Sequence, residues 1–135
     1  MKKFLLIFSF ALFTIFFFIK CGQPEELISP THYSRVPRAV NLTASYDTTE
    51  TGKYRIMLSW GVTGTENLKD FEIYRSVNNA NFFFLTGGIV STNFIDSSLA
   101  NTSDYTIAYF INGRGIDRFV GQSSDTLRLI VTKSF

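Results

Sequence analysis

The side chains with the most chemistry to offer in this 135-residue chain are one histidine, one cysteine and a few closely spaced acids. His32 is the only histidine and Cys21 the only cysteine, so neither a metal set nor a histidine base with its partners can be assembled around either. Asp47 with Glu50, and Asp70 with Glu72, bring carboxyls near one another along the chain. Paired-acid catalysis needs a fixed separation that such short spacings do not specify, and solvated turns or charged strand edges account for them more simply. Arg114 and Arg118 bracket Asp117 in a glycine-containing stretch, the pattern of a hairpin with local charge pairing. No phosphate loop, nucleophile elbow or paired metal-binding motif is present. The expectation is a noncatalytic protein without cofactor or metal.

The cysteine is informative by position. Lys2 and Lys3 precede a run from Phe4 to Ile19 in which only Ser9 and Thr14 are polar, and Lys20 closes it. This is the order of a secretory leader. As a helix its 16 apolar-run residues would span about 24 Å, short for a hydrocarbon layer of roughly 30 Å, so a cleaved signal over residues 1–20 is expected rather than a permanent span. The leader holds three of the 13 Lys and Arg and none of the 11 Asp and Glu, which leaves ten cations against eleven acids beyond it. That balance, with no basic run, argues against nucleic acid as a partner.

Phe18, Ile19, Lys20 and Cys21 resemble the processing site of a bacterial lipoprotein precursor. Phe18 and Lys20 stand where that family has an aliphatic and a small residue, and such relaxed signals are similar to those of spirochaetes. The resemblance implies that Cys21 is lipidated, by palmitate or related acyl chains. It also implies that the protein is held to the inner or outer membrane of a cell envelope, facing an extracytoplasmic compartment. Several chains would make the attachment durable, because each buried methylene contributes about 0.8 kcal/mol. Pro24, Pro30 and Pro37 withhold backbone donors and favour extended chain, so residues 21–35 read as a flexible tether carrying the lipidated cysteine.

The elements that must position anything further begin at residue 36. No proline follows Pro37, and apolar residues recur with a period near two. Val40, Leu42 and Ala44 mark a first strand. Tyr54, Ile56, Leu58 and Trp60 fall on one face of a second, with Arg55, Met57 and Ser59 opposite. Further strands are expected at Phe71 to Ser76, Phe82 to Thr86, Ile89 to Ile95, Tyr105 to Ile111 and Leu127 to Val131. Gly87 and Gly88 are expected to stop the fourth, and Asn112 to Gly115 to form a turn. Seven short segments without a helix imply an all-β, two-sheet antiparallel sandwich, since either sheet alone would leave an apolar face in water. A helical signal segment and an extended tether precede it.

The segments Val40 to Ala44, Ile56 to Trp60 and Phe71 to Ser76, followed by Phe94, Asp96 and the alternation Tyr105, Ile107, Tyr109, Ile111, are similar in order to a fibronectin type III domain covering residues 36–135. That resemblance implies that Trp60 occupies the central core and Tyr105 the tyrosine corner. Phe83 must point opposite to Phe82 and Phe84, and Phe110 opposite to Tyr105 and Tyr109, which makes Phe83 and Phe110 the candidate interaction surface. The function expected is a lipid-anchored, noncatalytic interaction or adhesion module whose partner is an envelope or extracellular protein. A passive envelope or assembly component, and a carbohydrate-binding module using aromatic stacking, are the alternatives.

Overall fold

The computed structural model describes residues 36–133. The leader, Cys21, His32 and the tether lie outside the described residues. Eight strands follow one another without a helix: β1 (Ala39–Thr48), β2 (Tyr54–Val62), β3 (Leu68–Val77), β4 (Phe83–Ile89), β5 (Asn93–Asp96), β6 (Tyr105–Gly115), β7 (Val120–Ser123) and β8 (Leu127–Val131). One sheet has the order β1-β2-β5. The other has the order β4-β3-β6, with β7 and β8 sharing the far side of β6. Every pairing is antiparallel.

Alternation decides which residues meet between the sheets. Tyr54, Ile56, Leu58 and Trp60 of β2 are buried against Phe71 and Ile73 of β3 and Ile107, Tyr109 and Ile111 of β6. Trp60 is 5% exposed and meets Phe71 edge to face, with ring centroids 5.4 Å apart. An edge-to-face pair sets the positive rim of one ring against the negative face of the other, which adds to the area that both bury. β6 is buried along most of its length because β3 covers one side and β7 and β8 the other.

Three departures from the simple sequence pattern have local causes. The β4 strand continues through Gly87 and Gly88 to Ile89, because the ladder to β3 shifts register there and Gly88 takes a φ of 75° that a bulge can use. The run Ile89 to Ile95 divides: Ile89 ends β4 in one sheet, and Asn93 begins β5 in the other. The Asn112 to Gly115 stretch is strand, not turn. Its inward positions are Gly113 and Gly115, where buried Val36 packs, and the reversal comes only at residues 116–118.

Val36 defines how the chain approaches β1. A methyl group on Gly113 would stand 2.5 Å from the Pro37 carbonyl oxygen, and one on Gly121 would stand 2.9 Å from the Val36 Cβ. With Gly115, these glycines form a cradle that only side-chain-free positions leave open. Val36 fills it at 3% exposure. At the opposite end, Asn78 and Asn79 adopt left-handed φ values of 53° and 59° and the Ala80 N–H donates to the Val77 carbonyl at 3.1 Å, a tight turn that opens the connection from β3 to β4.

Candidate functional site

The outer face of the β4-β3-β6 sheet carries an aromatic cluster. Register opposes Tyr74 to Phe84 on one side and to Phe110 on the other, so these three point the same way. Tyr74 and Phe110 stack with centroids 4.8 Å apart and planes within 7°. Phe84 meets Tyr74 edge to face at 5.7 Å, and Phe82 leans on Phe110 at 4.9 Å. Phe84 is 54% exposed, whereas Phe110 is half-buried beneath its neighbours. The Tyr74 hydroxyl donates to Glu72 at 3.2 Å. Burial, then the Glu72 carboxylate, raises its pKa above the ordinary phenol value.

Polar residues bound one margin of this face. Arg114 makes a two-pronged contact with Asp70, both bonds 2.7 Å long, and lies 3.7 Å from Glu72. The Arg114 hydrogen bonds hold the Asp70 carboxyl below its usual range despite burial. Arg114 therefore pairs across the sheet, whereas the sequence suggested Asp117 in the adjacent loop. A fork-shaped guanidinium fits a carboxylate on the facing strand. Nor do the sequence acid pairs form carboxylate dyads. Asp70 is committed to Arg114, and Asp47 is ion-paired with Arg55.

The two proposed surface residues are separated by the sheet. Phe110 belongs to the outer cluster. Phe83 opposes Arg75, which faces inward, and lies under that guanidinium at 5.1 Å while remaining 44% exposed at the sheet edge. Phe82, Phe84 and Tyr74 are the residues that join Phe110. The odd-even logic that separates Phe83 from its neighbours was legible, but which parity faces outward depends on the turn at Asn78 and Asn79, which fixes the pairing of β4 with β3.

Behind Phe83 lies a buried polar clasp between the sheets. Arg75 Nη1 donates to Asp96 Oδ2 at 2.5 Å and to the Ser98 hydroxyl at 2.5 Å. The Tyr109 hydroxyl donates to the same Asp96 oxygen at 2.7 Å, while the Ser98 backbone N–H and hydroxyl reach the other oxygen at 3.0 and 2.7 Å. Burial by itself would raise the Asp96 pKa, but the Ser98 and Tyr109 hydrogen bonds and the Arg75 charge outweigh it and the carboxyl is lowered. Burial, followed by the Asp96 charge, pushes the Tyr109 phenol far above its ordinary range. The clasp holds no nucleophile beside a free base. Its carboxylate and hydroxyls are paired with one another and with Arg75 Nη1, while the buried Arg75 Nε has no partner among the described residues.

Trp60 lies in the core, as described above. Tyr105 is half-buried at the start of β6 and meets Tyr54 edge to face at 6.0 Å. The hydroxyl that reaches into the loop before β6 is Tyr54's, donating to the Ser103 carbonyl at 3.0 Å. Among the described residues there is no group of three or more His, Cys, Asp and Glu able to hold a metal, and no helix long and apolar enough to cross a membrane.

No protein-family model and no curated protein matches the chain. Solved structures do. A Fn3-like protein from Clostridium thermocellum has a TM-score of 0.49 at 18% identity, over 70% of this chain and 88% of that one. A myokine structure gives 0.53 at 14% identity, over 73% and 97%. A β-1,2-glucanase from Parabacteroides distasonis gives 0.51 at 15% identity over 74% of this chain but 14% of the glucanase. The likeness is one of fold. With β1-β2-β5 facing β4-β3-β6-β7, the domain is a fibronectin type III-like antiparallel sandwich.

Proposed function

We propose that the protein is a lipid-anchored, extracytoplasmic interaction module. In this reading residues 1–20 direct export, Cys21 carries the acyl chains, residues 21–35 tether the sandwich, and its outer aromatic face receives a protein of the envelope or its exterior. The observation that carries the binding role is the partly exposed cluster of Phe82, Phe84, Tyr74 and Phe110. These rings cover part of one another, but the surface of Phe82 and Phe84 that stays in water is buried only when a partner covers it. A ring-rich centre with Glu72, Asn112 and Arg114 beside it has the anatomy of a protein interface.

A protein partner accounts for the geometry better than a sugar. Stacking on a sugar is best served by a broad open ring face; Tyr74 and Phe110 each give one face to the other and are only partly exposed, and the more exposed Phe82 and Phe84 are tilted or edge-on to them rather than coplanar. The decisive comparison is crosslinking in intact envelopes from a photoreactive residue at Phe84, with and without Phe82→Ser. A discrete adduct that weakens in the Phe82→Ser background supports the reading. If the chain carries out its envelope role with both rings replaced by serine and forms no adduct from this face, the passive structural role holds instead. For the anchor, metabolic labelling with palmitate should mark the wild type and not Cys21→Ala. Equal incorporation would refute lipidation at Cys21.

A further inference from the structure

The two ends of the sandwich differ in chemistry. Thr48 pairs with Tyr54, Lys53 bridges to Ala100, and the Asn78 N–H donates to the Thr106 carbonyl, so the loops at 49–53, 78–82 and 97–104 share one end. Apart from Phe82, which leans on Phe110, their exposed residues are polar or small. At the other end Phe71 pairs with both Ile89 and Gly113, which brings the connection at 90–92 level with the β6–β7 hairpin. Here Val90 is 82% exposed, Ile116 68% and Phe119 48%.

The hairpin tip is a finished structure. Gly115 N–H donates to the Phe119 carbonyl at 2.8 Å, Arg118 N–H to the Gly115 carbonyl at 3.0 Å, and Ile116 N–H to the Asn67 carbonyl at 3.0 Å. The Asp117 carboxylate accepts the Phe119 N–H at 3.2 Å. Because these backbone donors are satisfied internally, moving the tip into a less polar medium exposes few unpaired groups there.

Position supplies the occupant. Val36 packs against Gly115 and Gly121, the two sides of the hairpin base, so the chain leading into β1 passes beside this tip. Cys21 precedes Val36 by 15 peptide steps, which limits the separation to about 50 Å even if fully extended. We infer that Ile116, Phe119 and Val90 seat this end of the sandwich on the surface of the membrane. This rests on the anchoring reading, because attachment at Cys21 makes weak insertion an intramolecular event. The exposed Arg118 lies between Ile116 and Phe119, where its guanidinium meets headgroup phosphates while the apolar side chains enter the acyl boundary. The outer aromatic face is then presented in a defined orientation.

The test uses the full chain reconstituted in phosphatidylcholine vesicles containing a minority of phosphatidylglycerol, with and without bromine on the acyl chains. Ile116→Trp and Thr102→Trp place an added indole at the two ends, and the wild type, with only buried Trp60, gives the baseline. Bromolipid should quench the added emission of Ile116→Trp and leave that of Thr102→Trp unchanged. No quenching in either variant, or equal quenching in both, would overturn the inference. Flotation of wild type and Cys21→Ala separates this from failure of the anchor. If neither floats, anchoring is wrong, and vesicles added to the soluble Ile116→Trp chain decide the hairpin alone: quenching retains it and none discards it. An unchanged Trp60 emission maximum in Phe119→Ser, with less bromolipid quenching in an Ile116→Trp background, would tie the effect to the apolar tip rather than to unfolding.

Discussion

Replacing Asp96 by alanine should be among the most damaging single changes in the domain. Its carboxylate side chain is 2% exposed and receives Arg75, Tyr109 and Ser98, and it joins β5 of one sheet to β3 and β6 of the other. Alanine would leave the Arg75 guanidinium, whose side chain is 8% exposed, without its counter-charge. It would also strip the Tyr109 hydroxyl of its acceptor. Breaking a buried pair from one side costs about 3 to 5 kcal/mol, mostly the penalty of the stranded charge. With an m-value near 2 kcal/mol/M, urea denaturation followed by Trp60 fluorescence should show the midpoint falling by about 2 M. Adding Arg75→Leu removes the stranded charge, so the double variant should recover part of the loss. The reasoning is refuted if Asp96→Ala costs less than about 1 kcal/mol, or if the two changes simply add.

The same carboxylate sets a pH dependence. A carboxyl whose folded pKa lies below its unfolded value contributes stability that is complete above the ordinary value of 3.8 and fades as the pH falls through the folded value. Asp96→Ala should therefore flatten the acid limb of the wild-type stability profile, as measured by urea midpoints below about pH 5. Trp60→Ala should cost about 3 to 5 kcal/mol through lost packing and a cavity. Trp60→Phe should cost clearly less, since the indole N–H has no partner among the described residues; equal denaturation midpoints for both would argue against ring packing as the cause. Gly113→Ala should destabilise by about 1 to 3 kcal/mol, because the new methyl must displace the Pro37 carbonyl, and thermal melting checks this. Phe82→Ser, at a partly exposed position, should change stability by less than about 1 kcal/mol, so any loss of the adduct formed from Phe84 in that variant reports the surface.

Much of the sandwich is written in the sequence as parity. Tyr54 to Trp60 alternates so cleanly that its inward face follows from side-chain type alone, and Tyr105 to Ile111 carries apolar groups on both sides because β6 is central. Parity fails where a strand is built around something else. Asn-Gly-Arg-Gly at 112–115 has the composition of a turn, yet its glycines are inward positions cleared for Val36, a residue distant in sequence. The short β7 was not legible because the final edge divides at Ser124, whose hydroxyl and N–H both engage Ile111 and so interrupt the ladder between β7 and β8. Composition pointed to the phenylalanines but not to which of them would gather with Tyr74 on the outer face of the sheet. Arg75 is buried against Asp96, and Phe83, opposite it in the ladder, takes the same side of the sheet, away from Phe82 and Phe84.

The glycine cradle also decides where mechanical load is felt. Tension passed to Val36 from the N-terminal side meets a residue wedged against the β6–β7 edge. A tug is thus shared with the second sheet before it can peel β1 from β2. The plug acts as strain relief for the first ladder, and a wider groove, with Val36 reduced to alanine, should let that ladder unzip at lower force.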